Sequence, residues 1–196
     1  MSERLRLEWE PEQHEYAPQG TYWHELRGER MGVMLHYDGS ASDAGGLAWL
    51  QGLPVKASYN LVVLDDGSWG VIAPLGKAAW HAGKSRSSDP ARFPYADGMA
   101  NHAFYGICIL TNEKVDVTMP QALTAAWLAA RLFARHGWSP ETETWRVTTH
   151  AAEAWERRRK SDPEGYEFHR DGGKNPIWSA ADVRTLLPLF REVSPL

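Results

Sequence analysis

Two histidines follow apolar runs of strand length. His36 closes Met31–His36, MGVMLH, and His150 follows directly on Trp145–Thr149. Such runs read as short buried strands. Twelve residues beyond His150 comes Asp162, inside Lys160-Ser161-Asp162-Pro163. Two histidines at strand ends and a carboxylate from the following loop would give three protein ligands and an open fourth position, the arrangement of a catalytic zinc. The same residues also read as surface histidines and a loop aspartate capping a turn. The chain has eight His, so spacing alone leaves both readings open.

Three further residues carry paired readings. Lys160 ends the run Glu156–Lys160, ERRRK, which is a solvated basic face or, two residues from a metal-bound aspartate, a cation for an oxyanion. Tyr59 begins the run Ser58–Asp65, SYNLVVLD, where it packs in a strand or aims its phenol at a metal-bound water. Cys108 lies inside Phe104–Leu110, FYGICIL, where burial in the core is the simpler role for a lone thiol.

The elements that must position these residues alternate between strand and helix. Ser58–Asp65 leads into Asp66-Gly67, a hairpin signal, because glycine accepts the positive φ of a tight turn. Ser68–Ala73 is the return strand, closed by Pro74. Thr118–His136 predicts a helix with Thr118 as N-cap, Pro120 in the first turn and Gly137 as the stop. Leu123, Trp127, Ala130 and Ala134 share one face of it. A short helix is expected over Gly46–Gly52, helical turns over Ala151–Arg159, and a terminal helix over Ser179–Phe190, strained by Pro188. Residues 1–30 read as an irregular arm with a short helix over Thr21–Leu26, followed by one catalytic domain over 31–196. The expected fold is α/β, a single domain with a central mixed sheet flanked by helices.

Composition narrows the function. The 196 residues hold 21 Lys+Arg against 25 Asp+Glu, which argues against a nucleic-acid coat or an anionic-lipid binder. One cysteine excludes an internal disulfide framework and a Cys-only zinc site within one chain. No apolar run reaches the roughly 20 residues of a membrane span, and the N-terminus lacks the apolar core of a secretory signal. Synthesis in the cytoplasm is therefore expected, as is a monomer. The ten Trp suit a groove for an extended ligand, although large core residues account for most of them.

The sequence resembles the zinc-dependent N-acetylmuramoyl-L-alanine amidases, a family that includes amidase-type phage lysozymes and peptidoglycan recognition proteins. Five pieces match in the family's order: VMLHYDGS (33–40), ASYNLVVLDDGSWGVIAP (57–74), AAWHAG (78–83), Asn101 through FYGICIL to Asn112, and TTHAAEAWERRRKSDPEG (148–165). The resemblance implies a peptidoglycan-recognition fold, with zinc held by His36, His150 and Asp162. It places Lys160 at the scissile carbonyl and Tyr59 near the attacking water. Trp80, His81 and Asn101 would contact substrate.

The implied reaction is hydrolysis of the amide between N-acetylmuramic acid and L-alanine. Peptidoglycan or a muropeptide is the implied partner. Two departures from the family pattern stand out. Cys108 replaces the glutamate of the recycling-type amidases, as in the phage lysozymes, so proton transfer falls more heavily on Tyr59. Asn60 stands where a histidine usually follows the tyrosine. Asp162, by contrast, resembles the bacterial amidases. A phage or prophage endolysin acting on the cell wall is the leading expectation. A cytoplasmic muropeptide-recycling amidase and a non-catalytic peptidoglycan-binding module are the rivals; the intact ligand set favours an enzyme.

Overall fold

The computed structural model describes residues 9–16, 23–38, 42–51, 57–111, 117–153 and 180–196. The strands are β1 (Gln13–Glu15), β2 (Trp23–Glu25), β3 (Gly32–Tyr37), β4 (Leu61–Val63), β5 (Trp69–Val71), β6 (Lys77–Ala79), β7 (Phe104–Ile109) and β8 (Val147–Thr149). The helices are α1 (Asp43–Gln51), α2 (Ala100–Ala103), α3 (Met119–His136), α4 (His150–Glu153) and α5 (Ala180–Leu186), and a 3-10 turn over Leu187–Phe190 follows α5.

Six strands form one mixed sheet in the order β1-β5-β4-β7-β3-β8. The β4–β5 hairpin is its antiparallel pair, while β4, β7, β3 and β8 run parallel. This is the mixed sheet flanked by helices that the sequence implied. Gly67 turns the hairpin at φ 85°, and Asp66 Oδ1 accepts the Ser68 N–H at 2.8 Å. A small second sheet pairs β2 with β6 antiparallel.

Alternation along the strands sorts side chains onto two faces. Val33, Leu35, Tyr105, Ile107, Ile109 and Val147 face one way and are buried with α3, Val183 and Leu187. Met34, Phe104 and Cys108 face the other way, under α1, α2 and the segments that follow β5 and β6. His36 alternates with Leu35, so it belongs to this second face, away from α3.

The capping box of α3 is complete. Thr118 Oγ1 accepts the Gln121 N–H at 3.2 Å, and Gln121 Oε1 accepts the Thr118 N–H at 2.9 Å. Gly137 closes the helix. Its buried stripe is wider than the face expected from Leu123, Trp127, Ala130 and Ala134. Leu123 and Ala134 are only half-buried, whereas Ala122, Ala125, Ala129, Leu132 and Phe133 are buried. The sheet covers one side of α3, and α5 with the Leu187–Phe190 turn covers another, so no single seam defines its core.

Two expectations change. The short helix expected over Thr21–Leu26 is strand at Trp23–Glu25, because pairing with Lys77–Ala79 outweighs weak local helix preference. Gln13–Glu15, read as irregular, extends the main sheet by pairing parallel to β5.

Candidate functional site

His36 and His150 come together at the C-terminal ends of adjacent parallel strands. His36 is the fifth residue of β3, and His150 directly follows β8, whose Thr149 pairs with Leu35. Their ring centroids lie 4.8 Å apart, and the Tyr59 ring lies 5.0 Å from that of His36. His36 is 0% exposed and His150 5%.

One segment, 80–83, spans both histidines. His81 Nδ1 lies 3.0 Å from His36 Nε2, and the Ala82 carbonyl lies 3.1 Å from His150 Nε2. Asn101 Oδ1 pins this segment by accepting the N–H of His81 at 3.0 Å and of Ala82 at 2.7 Å. His81 Nε2 in turn lies 3.2 Å from the Phe104 carbonyl. Burial first, and then the neighbouring His36, Arg30 and His150, hold His81 well below its ordinary pKa, so it is neutral at pH 7.

A carbonyl only accepts, so the Ala82 oxygen assigns the proton of His150 to Nε2 and its lone pair to Nδ1. Both imidazoles are held from behind by the protein, His150 by the Ala82 carbonyl and His36 by His81, as nitrogen ligands of a divalent metal such as zinc are held. Among the described residues no three His, Cys, Asp or Glu converge as a metal site. Asp162 and Lys160, the other residues assigned to the chemistry, lie outside the described residues.

The remaining site residues fall around this pair. Tyr59 is 7% exposed and packs with Val62, Cys108 and Leu110. Trp80 is half-buried, its ring 4.8 Å from that of His24 on β2. Its backbone is clipped to Ser58, whose Oγ accepts the Trp80 N–H at 3.0 Å. Asn60 ties the framework: its Oδ1 accepts the Gly106 N–H at 3.1 Å, and its amide donates toward the carbonyls of Pro74 and Lys77. Cys108 is fully buried, opposite His36 in the β3–β7 register.

Three further residues build the site: Arg30 and Gly106, to which the sequence assigned no role, and Glu153, the alternative to Tyr59 as proton carrier because it lies beside His150. Arg30, placed in a polar arm, is buried and donates to the carbonyls of Asn101 and Phe104 beneath the site. Its guanidinium lies 4.4 Å from the Tyr105 ring centroid, and burial lowers its pKa to about 10. Gly106 lies directly under His81: a Cβ there would stand 2.7 Å from His81 Cγ. The signal for it was present, since a lone glycine inside a strand pattern marks a close approach. Glu153, one turn after His150, is fully buried and accepts from Ser88 N–H at 3.0 Å, Tyr95 Oη at 2.6 Å, Thr148 Oγ1 at 3.0 Å and Ser88 Oγ. It anchors the loop after Gly83 to the turn that carries His150. Burial and then Glu153 push the Tyr95 phenol above its ordinary pKa.

Residues 28–165 match the family model for N-acetylmuramoyl-L-alanine amidase, most of the chain and all of the site. The chain belongs to this amidase family. No curated protein matches the sequence. Among solved structures, the amidase-family fold is shared with a selenomethionine derivative of AmpD at TM-score 0.62 and 19% identity, covering 91% of this chain and 96% of that one. A mutant endolysin from Bacillus subtilis matches at TM-score 0.56 and 20% identity, covering 91% and 99%. AmiD from E.coli, solved with the substrate anhydro-N-acetylmuramic acid-L-Ala-D-gamma-Glu-L-Lys, matches at TM-score 0.54 and 23% identity, covering 68% and 52%.

A cavity of about 790 Å³ lies on the α3 side of this amidase-family fold, lined by Trp9, Trp69, Trp127 and Arg131 among others. Among the described residues no histidine lines it, and the histidine pair lies on the other face of the sheet. Among the described residues, no helix is long and apolar enough to cross a membrane.

Proposed function

We propose that the chain is a zinc amidase that hydrolyses the amide between the lactyl group of N-acetylmuramic acid and L-alanine. His36, His150 and Asp162 hold the metal in this reading. The observation that carries it is the pair of imidazoles 4.8 Å apart at neighbouring strand ends, within a chain of the amidase family. Zinc would supply Lewis-acid polarisation of the amide carbonyl and activation of water at neutral pH.

This chain's own residues do the rest. The 80–83 segment holds the two imidazoles, and the half-buried Trp80 offers a ring to sugar or stem peptide. Water adds to the carbonyl carbon, the carbon–nitrogen bond breaks, and a proton must reach the departing alanine nitrogen. Tyr59, whose ring lies 5.0 Å from that of His36, carries that proton. Lys160 stabilises negative charge on the carbonyl oxygen. Glu153 already accepts four hydrogen bonds, which makes it an anchor rather than the proton carrier.

The decisive experiment measures metal content alongside amidase activity on cell walls. Wild type should hold one zinc per chain. His150→Ala should lose zinc and activity together, and full zinc occupancy in that variant would remove His150 from the site. Lys160→Ala should keep its zinc and lose about 10²–10³-fold in turnover, the usual cost of one oxyanion donor. An unchanged rate would return Lys160 to the solvent-facing reading.

Within this activity we assign the chain to the endolysin type, acting on intact peptidoglycan of the cell wall. The support is Cys108 in the strand where the recycling-type amidases carry a glutamate; the fold itself is shared with AmpD and the Bacillus subtilis endolysin alike. Faster cleavage of intact sacculi than of small muropeptides is expected; the reverse order favours a recycling enzyme.

A further inference from the structure

The hydrogen bonds behind His36 form a chain with a direction. The Phe104 carbonyl can only accept, so His81 Nε2 carries the proton in their 3.2 Å contact. In a neutral imidazole that leaves His81 Nδ1 as an acceptor. The 3.0 Å contact between His81 Nδ1 and His36 Nε2 then requires the proton on His36 Nε2. His36 is thereby left with its lone pair on Nδ1. The Ala82 carbonyl imposes the same tautomer on His150 at 3.1 Å.

The parts that hold His81 are as specific as its contacts. Arg30 donates to the same Phe104 carbonyl, filling its second lone pair and fixing where it points. Asn101 Oδ1 holds the backbone N–H groups on both sides of the His81–Ala82 peptide. Gly106 leaves the imidazole room to lie on β7, where a Cβ would stand 2.7 Å from His81 Cγ.

We infer that His81 is a positioning residue for the metal, which sets the tautomer and angle of His36 so that both histidines present Nδ1. This rests on the zinc amidase reading for its consequence, but not for the tautomer itself. His81 is buried and turned to His36, so its part is played from behind the site rather than on a groove wall. Partners that orient a metal-ligating histidine typically contribute 10–100-fold in metal affinity.

The test reads the tautomer and the metal separately. Long-range ¹⁵N–¹H spectra of metal-free wild type should show His36 protonated on Nε2 and bare on Nδ1. Protonation on Nδ1 would overturn the inference. His81→Leu should keep a folded metal-free chain, mix the His36 tautomers and weaken zinc binding about 10–100-fold in a chelator competition. Zinc affinity equal to wild type in His81→Leu would overturn it too. His81→Asn, whose Oδ1 can stand where Nδ1 stands and accept from His36, should recover much of the loss. No recovery in a folded His81→Asn would count against the acceptor role. Gly106→Ala should mimic His81→Leu without altering any hydrogen-bonding group. A wild type that shows the expected tautomer yet binds no zinc would sink the metal reading and leave the His81 assignment standing.

Discussion

Tyr59 and Cys108 share one small cluster beside His36, yet their side chains have opposite duties. Cys108 is fully buried among Leu50, Val62 and Leu110, where a small side chain is enough. Cys108→Ser should cost roughly 1–3 kcal/mol if the hydroxyl is left without a partner. It should lower the melting temperature while zinc content and turnover per folded molecule hold. Tyr59→Phe keeps the ring and its packing but deletes the hydroxyl. Turnover should fall about 10²–10⁴-fold with little change in melting temperature. Most of the activity surviving in Tyr59→Phe would give the proton to another group. A stable, zinc-loaded but inactive Cys108→Ser would bring Cys108 into the chemistry. At this scale His36, His150 and Tyr59 were legible because each sits at a strand boundary in a recognisable run. Arg30 was not, because its value depends on four carbonyls that the fold draws together, and Gly106 signalled a close approach without showing that His81 is what approaches.

Among elements, the strongest local signals held. β3, β7 and α3 lie where apolar run length and capping chemistry put them. The three-residue strands β1, β2 and β6 escaped notice because each exists only through its partner, and three residues carry too little pattern to show a period. Short α4 shows how a small element can hold a site. Its Glu153 receives Thr148 from β8 and Ser88 and Tyr95 from the loop after Gly83, so one carboxylate joins three segments around His150. Glu153→Ala would strand those donors. Each buried polar group left without a partner costs about 1–3 kcal/mol. The melting temperature should fall by several degrees, on the scale of about 2–4 °C per kcal/mol for a chain of this size. Limited proteolysis should then cut first between Gly83 and Gly98. A Glu153→Ala protein with unchanged melting and no new cleavage would show that the loop is held by other contacts.

The whole molecule separates stability from chemistry by sheet face. α3 and the C-terminal helices cover one face with the larger core, and the histidine pair lies on the other. The helix face nonetheless carries its own pH sensitivity. His136, in the last turn of α3, stacks on Trp138 with ring centroids 4.4 Å apart and lies 2.9 Å from Tyr105 Oη. Burial first, and then Arg135, Arg30 and Arg146, lower its pKa, with Glu29 acting in the opposite sense. Unfolded, a histidine titrates near about 6.5. Between that value and the lower folded one the unfolded chain binds more protons, so stability rises with pH across this window and is lost as pH falls through it. Protonation would also remove Nε2 as an acceptor for the Tyr105 hydroxyl. His136→Gln keeps an acceptor and removes the titration. Denaturant unfolding of the metal-free chain should therefore lose less stability between about pH 7 and pH 5 in His136→Gln than in wild type. Equal slopes in the two proteins would place the acid sensitivity elsewhere, with His102, lowered by burial and Arg27, as the next residue to replace.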